Sequence, residues 1–382
     1  MKLYKYCSFK IIPFIVSLTL LPIFLNAMIN ETPINWEELA LGKETFSPYI
    51  FLKDGTRVYA KHQDRVVHCA ALENCFENFS KNKETPVVLW LGNSQLHAIN
   101  QYKDTDLLAS EILYGNLQKE GYDLLTISHP SANLQEHYTI SEYAKLKLNL
   151  DSVILGIVFD DLREDGVRND VGKFLNDKSL SAALSETKIG RKIIKKNSDV
   201  LDIEDDYGGL SMTFQDKTER LLSEQLESKT ELWERRAYLR GVAFNTLYKA
   251  RNYIFNINPS TKRKMIKPRF EDNWNALEQL IDLYNSSSIN VYVYIAPIRG
   301  DVEIPYVLNE YDDFKQKLAL LASEKDAYFM NYEDLVPAKF WGMKDSTSVS
   351  GLPELDFMHY QYDGHKILSN KIYEDLKLGE IK

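Results

Sequence analysis

Long apolar runs that alternate with helical patterns dominate the chain from residue 86 onward. The first run, residues 86–98, has five consecutive apolar residues between Pro86 and Gly92, which predicts a buried strand followed by a tight turn. Four later runs, residues 122–128, 151–159, 289–296 and 327–335, predict further strands. Nearly continuous apolar strands that alternate with helices indicate a five-stranded parallel sheet covered on both faces.

The alternation stops between about residues 169 and 271, where long helical patterns predict a mostly helical insertion. Ten Lys or Arg and no Asp or Glu occur between Arg235 and Arg269. Such a local positive surface is suited to an anionic polymer or to anionic lipid head groups. A solvated helix face without a ligand explains the same pattern equally well, so both interpretations stay open here.

The N-terminal region divides into two parts. Within residues 1–29, three lysines precede an apolar run over residues 11–25, which predicts an export segment. The run is short and contains two prolines, as in a signal peptide, but its cleavage site is poor, so a retained signal anchor is an equal alternative. Residues 30–85 lack a strong period and predict an irregular segment with a short strand within residues 58–70.

Composition and cysteine positions argue against two kinds of function. The 382-residue chain has a formal net charge of -9, which argues against general nucleic-acid binding. Cys7 lies in the export segment, whereas Cys69 and Cys75 are close in sequence. In an exported protein such a pair predicts a local disulfide rather than a metal site.

Polar residues follow the predicted strands at their carboxyl ends, where ligands bind in doubly wound sheets. The rim so predicted contains a hydroxyl, amide, carboxylate, guanidinium and imidazole groups. Its members are Ser94, Ser131, Asn133, Asp160, Asp161, Arg163, Arg299, Asp356 and His359. Ser94 opens the helix after the first strand, where either it or Asn93 acts as a helix cap or Ser94 is a nucleophile.

Asp356 and His359 are three positions apart, in the segment DFMH near the C-terminus. In a turn or at the start of a helix, both side chains point the same way. The carboxylate then holds one imidazole nitrogen as N–H, and the other nitrogen takes the serine proton. Ser94, His359 and Asp356 therefore form a complete candidate catalytic triad.

The LGNS segment with Ser94 and the late DFMH segment resemble the first and last sequence blocks of SGNH (GDSL-type) hydrolases. The resemblance covers about residues 86–376 outside the insertion, within a predicted domain of residues 86–382. It implies a flavodoxin-like three-layer α/β/α sandwich and serine acyl-ester chemistry. With the export segment, the chain is most similar to envelope acyltransfer proteins of teichoic-acid D-alanylation and exopolysaccharide O-acetylation.

The sequence also departs from that family. GDS is replaced by GNS, and neither the Gly after the second strand nor the Asn after the third is present. We therefore assign oxyanion or substrate binding to Asn93, Asn133, Asp161 and Arg163, with the Ala132 N–H as a further donor. Asp160 or Asp161 in this place is expected to repel an oxyanion, and Arg163 is equally suited to an ion pair with neighbouring carboxylates.

The leading hypothesis is an exported serine esterase or O-acyltransferase that acts on an acylated cell-envelope glycan or polymer, with a membrane-bound acyl-donor protein as a further partner. No metal or cofactor is expected, since no ligand spacing or phosphate-binding loop is present. His62 and His68 are expected in surface or structural roles, His97 in a structural or substrate-edge role, and His365 at the start of the closing helix. The alternative is a catalytically degenerate envelope protein that binds an anionic polymer or a membrane partner.

Overall fold

The computed structural model describes residues 44–53, 57–63, 65–70, 72, 75–80, 85–197, 236–258, 260–348 and 351–379. The predicted export segment and residues 198–235 of the predicted insertion lie outside this part of the chain. Within it, we find no helix with the length and apolar character that a membrane span needs.

A mostly parallel sheet of eight strands forms the centre of the described structure, with the order β10-β9-β8-β5-β7-β4-β3-β2. The strands are β1 (Thr45–Phe46), β2 (Ile50–Phe51), β3 (Arg57–His62), β4 (Arg65–Cys69), β5 (Val87–Asn93), β6 (Ile99–Asn100), β7 (Asp123–His129), β8 (Leu150–Ile157), β9 (Asn290–Ile295), β10 (Tyr328–Asn331), β11 (Trp341–Lys344) and β12 (Glu354–Tyr360). The pairs β1-β6 and β11-β12 form two small antiparallel sheets beside it.

The five predicted strands are confirmed as β5, β7, β8, β9 and β10, and they pair in parallel. Numbered among themselves along the chain, they have the spatial order 2-1-3-4-5, which is the flavodoxin-like order. The order reverses between β5 and β8. The carboxyl ends of these two strands therefore flank the crevice where such folds bind ligands.

The N-terminal segment is more regular than its sequence pattern indicates. β4 pairs in parallel with β7, and β3 and β2 continue the sheet in antiparallel pairing. The sheet therefore has three strands more than the five expected, and the prediction of an irregular segment is wrong for the described part of residues 30–85. These strands are short, and the pairing of β3 with β4 contains register shifts. They therefore have too few alternating positions to show a two-residue period of apolar and polar residues in the sequence.

Helices cover both faces of the sheet and complete three layers. They are α1 (Cys75–Ser80), α2 (Ser94–His97), α3 (Ala109–Leu117), α4 (Leu134–Lys147), α5 (Asn169–Gly172), α6 (Lys178–Ser185), α7 (Lys188–Lys196), α8 (Arg236–Ile254), α9 (Lys267–Asn285), α10 (Leu308–Glu324) and α11 (Tyr362–Gly379). Leu89 and Leu91 of β5 join one core cluster with α4 and α9. Val88 and Trp90 join the other, with α3 and α11. Alternate residues of one buried strand thus face opposite helical layers.

Most of the described part of residues 169–271 is helical. Leu180 and Leu184 of α6 and Ile193 of α7 are buried in the same cluster as α4 and α9, so this part of the insertion extends the main core. The predicted disulfide joins Cys69, at the end of β4, to Cys75, at the start of α1. It therefore ties the N-terminal strands to their first helix.

Candidate active site

Ser94 is the first residue of α2 and directly follows β5, whose seven residues are all buried. The preceding residue, Asn93, is the helix cap: its Oδ1 accepts the Gln95 N–H at 3.0 Å. Ser94 Oγ instead lies 3.0 Å from Nε2 of His359. The helix cap and the contact with His359 therefore fall on adjacent residues.

His359 and Asp356 lie on the hairpin of β11 and β12, not in a turn or helix start as predicted. Pairing steps from Met343–Leu355 to Trp341–Tyr360, so residues 356–359 bulge opposite Gly342 alone. Asp356 Oδ1 stabilises the bulge by accepting the N–H groups of Met358 and His359. The bulge places two side chains three positions apart on one side, which a regular strand does not do.

The Asp356 carboxylate is buried and fully hydrogen-bonded. Its Oδ2 lies 3.0 Å from His359 Nδ1 and also accepts the Thr45 hydroxyl at 2.9 Å and the Asn100 amide at 3.2 Å. Burial opposes ionisation, but the charge and hydrogen bond of His359 outweigh it and hold the pKa of Asp356 well below its usual range. Thr45 and Asn100 were not identified from the sequence, since neither belongs to a motif.

The ionised carboxylate determines the tautomer of His359. An aspartate anion only accepts hydrogen bonds, so Nδ1 carries the proton that it donates to Asp356. Nε2 of the neutral ring then accepts the proton of the Ser94 hydroxyl. The three side chains thus have the order and polarity that nucleophilic activation of a serine requires.

Asn93 also contacts the carboxyl group that follows β8. Its Nδ2 lies 3.3 Å from both carboxyl oxygens of Asp161, and Asp161 Oδ2 accepts the Val158 N–H at 2.9 Å. Burial raises the pKa of Asp161 well above its usual range, which favours its protonated form. A raised pKa weakens the negative charge by which Asp161 was expected to repel an oxyanion.

Two groups that were expected to donate to an oxyanion form hydrogen bonds with backbone carbonyls instead. Asn133 is the N-cap of α4: its Oδ1 accepts the N–H groups of Gln135 and Glu136, and its Nδ2 donates to the Gly166 carbonyl. The Ala132 N–H donates to the His129 carbonyl at 3.3 Å. An asparagine immediately before a helix is typical of a helix cap, and Asn133 forms such a cap.

Arg163 forms the ion pair that was one of its two expected roles. Its guanidinium donates to Asp160 at 2.6 Å and to the Lys264 carbonyl at 2.9 Å. Asp160 also accepts Arg263 and the Tyr306 hydroxyl. These contacts attach the end of the insertion to the turn after β8 rather than directing Arg163 toward Ser94.

Buried histidines lie beneath the site. His97 stacks on Tyr59 with ring centroids 4.2 Å apart, and its Nδ1 lies 2.7 Å from the Ser128 hydroxyl. His68 contacts the same hydroxyl at 2.6 Å, and His365 contacts the Ala98 carbonyl at 3.1 Å. These contacts agree with the structural roles expected from the sequence. In the described ranges, no three His, Cys, Asp or Glu side chains are grouped so as to hold a metal ion.

Comparisons with known proteins give limited similarity. No family model matches the sequence, and no curated protein matches it. Among solved structures, a protein from Bacteroides fragilis NCTC 9343 named "putative acylhydrolase" is similar over 78% of this chain and 93% of its own, with 10% identity and a TM-score of 0.35. We therefore derive the three-layer α/β/α fold from the strand order and the chemistry of the site from its distances.

Proposed function

We propose that the protein is a serine-dependent acyl-ester hydrolase or O-acyltransferase. One observation carries the proposal: Ser94 Oγ, the His359 ring and the Asp356 carboxylate form a continuous series with both contacts at 3.0 Å. Its position at the crevice between the carboxyl ends of β5 and β8 adds support, because flavodoxin-like folds bind ligands there.

In this mechanism, Ser94 Oγ attacks the carbonyl carbon of an ester while His359 Nε2 takes the hydroxyl proton. Asp356 stabilises the resulting imidazolium. The tetrahedral intermediate collapses with cleavage of the ester C–O bond, and His359 gives its proton to the leaving alcohol. A water molecule or a second alcohol, deprotonated by His359, then attacks the acyl group on Ser94 and releases the acid or a new ester.

For the substrate, we propose an O-acylated glycan or polymer of the cell envelope, with a membrane-bound protein as the source of the acyl group in the transferase case. The resemblance to envelope acyltransfer proteins supports this class, as does the apolar run at residues 11–25. The Cys69–Cys75 disulfide supports an oxidising compartment outside the cytoplasm. The proposed localisation is accordingly extracytoplasmic, either released or held by the N-terminal segment.

The test is covalent trapping of the acyl-enzyme. The full chain is exposed to p-nitrophenyl acetate and digested, and the peptides are analysed by mass spectrometry. We expect an acetyl group on Ser94, no adduct in Ser94→Ala, and an unchanged adduct in Ser131→Ala, where an exposed serine on the neighbouring loop is removed. An unmodified Ser94 with equal ester turnover in Ser94→Ala would refute the enzyme proposal.

A second candidate is a degenerate binding protein that uses the same rim. An efficient hydrolase needs oxyanion donors, but Asn133 and the Ala132 N–H already donate to backbone carbonyls. This observation favours the binding protein. This candidate predicts no acyl adduct on Ser94 and unchanged binding of a soluble anionic polymer by Ser94→Ala.

A further inference from the structure

The end of α8 presents large apolar side chains to solvent. Leu247, Tyr248, Ile254 and Phe255 are all exposed, and we call them the α8 apolar surface. Their spacing of one, seven and eight residues from Leu247 places them on one side of the helix. On the opposite side Val242 is buried, whereas Tyr253, close to the end of the helix, is also exposed. Four clustered apolar side chains on one exposed helical face indicate an interaction surface rather than scattered surface residues.

Cations accompany this surface. Arg251 lies between its apolar residues on the same face, 4.6 Å from the centre of the Tyr248 ring. Lys264 and Lys267 follow in the next segment and are exposed. Lys262 and Arg263 are neutralised by Glu303 and Asp160, respectively. Among the described carboxylates, however, none forms an ion pair with Arg251, Lys264 or Lys267, so their charge is available to an anionic partner.

The surface is attached to both sides of the candidate active site. Arg263 binds Asp160, whose neighbour Asp161 contacts Asn93 beside Ser94. On the other side, Asn252 Nδ2 donates to the Thr347 carbonyl at 2.8 Å, in the loop between the two strands of the His359 hairpin. Arg263 and Asn252 therefore connect the segment that carries the α8 apolar surface to the turn after β8 and to the hairpin that carries His359.

We propose that the α8 apolar surface inserts into the head-group region of an anionic phospholipid bilayer. A bilayer can bind both the α8 apolar surface and the nearby cations. The apolar side chains would enter the region between the head groups and the acyl chains, and Arg251, Lys264 and Lys267 would pair with lipid phosphates. A soluble anionic polymer would satisfy the cations but would leave Leu247, Ile254 and Phe255 in water. The insertion itself does not depend on catalysis, although under the proposed function it places Ser94 near membrane-borne substrates.

The test uses the full chain, Phe255→Trp, and vesicles of phosphatidylcholine and phosphatidylglycerol with brominated acyl chains. Fluorescence is measured against the unsubstituted chain, because five tryptophans are already present. The matched control is Phe51→Trp, at the far edge strand β2, since Phe51 is 68% exposed and Phe255 is 70% exposed. We expect severalfold stronger quenching of the tryptophan introduced by Phe255→Trp. Equal quenching of the two, or none in either, would overturn the proposal even if the N-terminal segment holds the chain on the vesicle.

A second variant tests the contribution of charge and separates this proposal from the enzymatic one. Lys264→Gln together with Lys267→Gln should weaken the quenching of Phe255→Trp on anionic vesicles and leave turnover of a soluble ester unchanged. Binding to soluble polyphosphate without any quenching by brominated lipid would assign the surface to a polymer and refute membrane insertion. Loss of ester turnover in Ser94→Ala, in contrast, has no bearing on the quenching.

Discussion

The hydroxyl of Ser94 is free for His359 because Asn93 performs the capping. Asn93 is suited to this position because its neutral amide both accepts and donates hydrogen bonds. Its Oδ1 accepts the Gln95 N–H, and its Nδ2 donates to Asp161. An aspartate in its place could only accept, and it would face the buried carboxyl of Asp161. The GNS sequence is therefore explained by a contact to the turn after β8, which no local pattern indicates.

Asn93→Asp should impair both stability and ester turnover. The substitution removes the Asn93 amide that donates to Asp161 and places two buried carboxyl groups together, which raises the pKa of one of them. A buried polar group without its partner costs about 1–3 kcal/mol. We expect a loss of that size in the free energy of unfolding by urea denaturation, together with slower turnover of an activated ester.

The matched control exchanges the two groups. In Asn93→Asp with Asp161→Asn, an amide again faces a carboxyl across the same 3.3 Å contact, and the Gln95 N–H still has an acceptor. This double variant should regain most of the lost stability. A double variant as unstable as Asn93→Asp alone would show that the Asn93–Asp161 contact does not organise the turn.

At the scale of elements, the β11-β12 hairpin positions Asp356 and His359. Its bulge depends on a close approach, because a Cβ at Gly342 would lie 1.6 Å from Oδ1 of Asn100. Asn100 in turn donates to Asp356, and Thr45 on β1 does the same. The DFMH spacing indicated that Asp356 and His359 meet. It did not indicate a bulged strand or the support from β1 and β6, which depends on contacts distant in sequence.

Gly342→Ala should reduce activity by displacing Asn100. The new methyl group and the amide cannot occupy the same space, so the Asn100 donor to Asp356 is lost and His359 is less firmly oriented. We expect a lower kcat for a soluble ester with a smaller change in KM, measured by steady-state kinetics. Gly300→Ala is the control and should be silent, because a Cβ at residue 300 would have its nearest neighbouring atom 3.8 Å away.

Combining Gly342→Ala with Asn100→Ala separates packing from positioning. The double variant relieves the clash but still lacks the amide donor to Asp356, so the melting temperature should recover while kcat stays low. Recovery of both quantities would mean that Asn100 is only a packing residue.

At the scale of the molecule, the sequence was sufficient for the five parallel strands from β5 onward and insufficient for the N-terminal strands that extend the sheet. β5, β7 and β8 are largely apolar because helices bury both faces, and such runs are visible without a structure. The N-terminal strands β2 and β3 include exposed or partly exposed positions, so their placement depends on strand pairing that no apolar run indicates. The candidate site shows the same contrast between local pattern and distant contact. Ser94, His359 and Asp356 could be selected from sequence motifs, whereas Thr45 and Asn100 could not, because only the fold brings them to Asp356.

Besides His359, five buried histidines should make the folded protein sensitive to acid. They are His68, His97, His129, His137 and His365. Burial lowers the pKa of each, to about 3 for His68, His137 and His365. In the unfolded chain their pKa is about 6.5. Below that value the unfolded state binds protons that the folded state does not, so the free energy of unfolding falls as the pH falls.

His137 allows a direct measurement, because neither of its ring nitrogens has a hydrogen-bond partner within the described structure. His137→Phe therefore removes a titrating group without removing a hydrogen bond. Relative to the unsubstituted chain, its free energy of unfolding should improve by about 1.4 kcal/mol for each pH unit below about 6.5. Burial also raises the pKa of Asp161, Glu111 and Glu142, which offsets part of the total slope in both proteins but cancels in the difference. A difference that does not change with pH in urea titrations would show that His137 is protonated in the folded state.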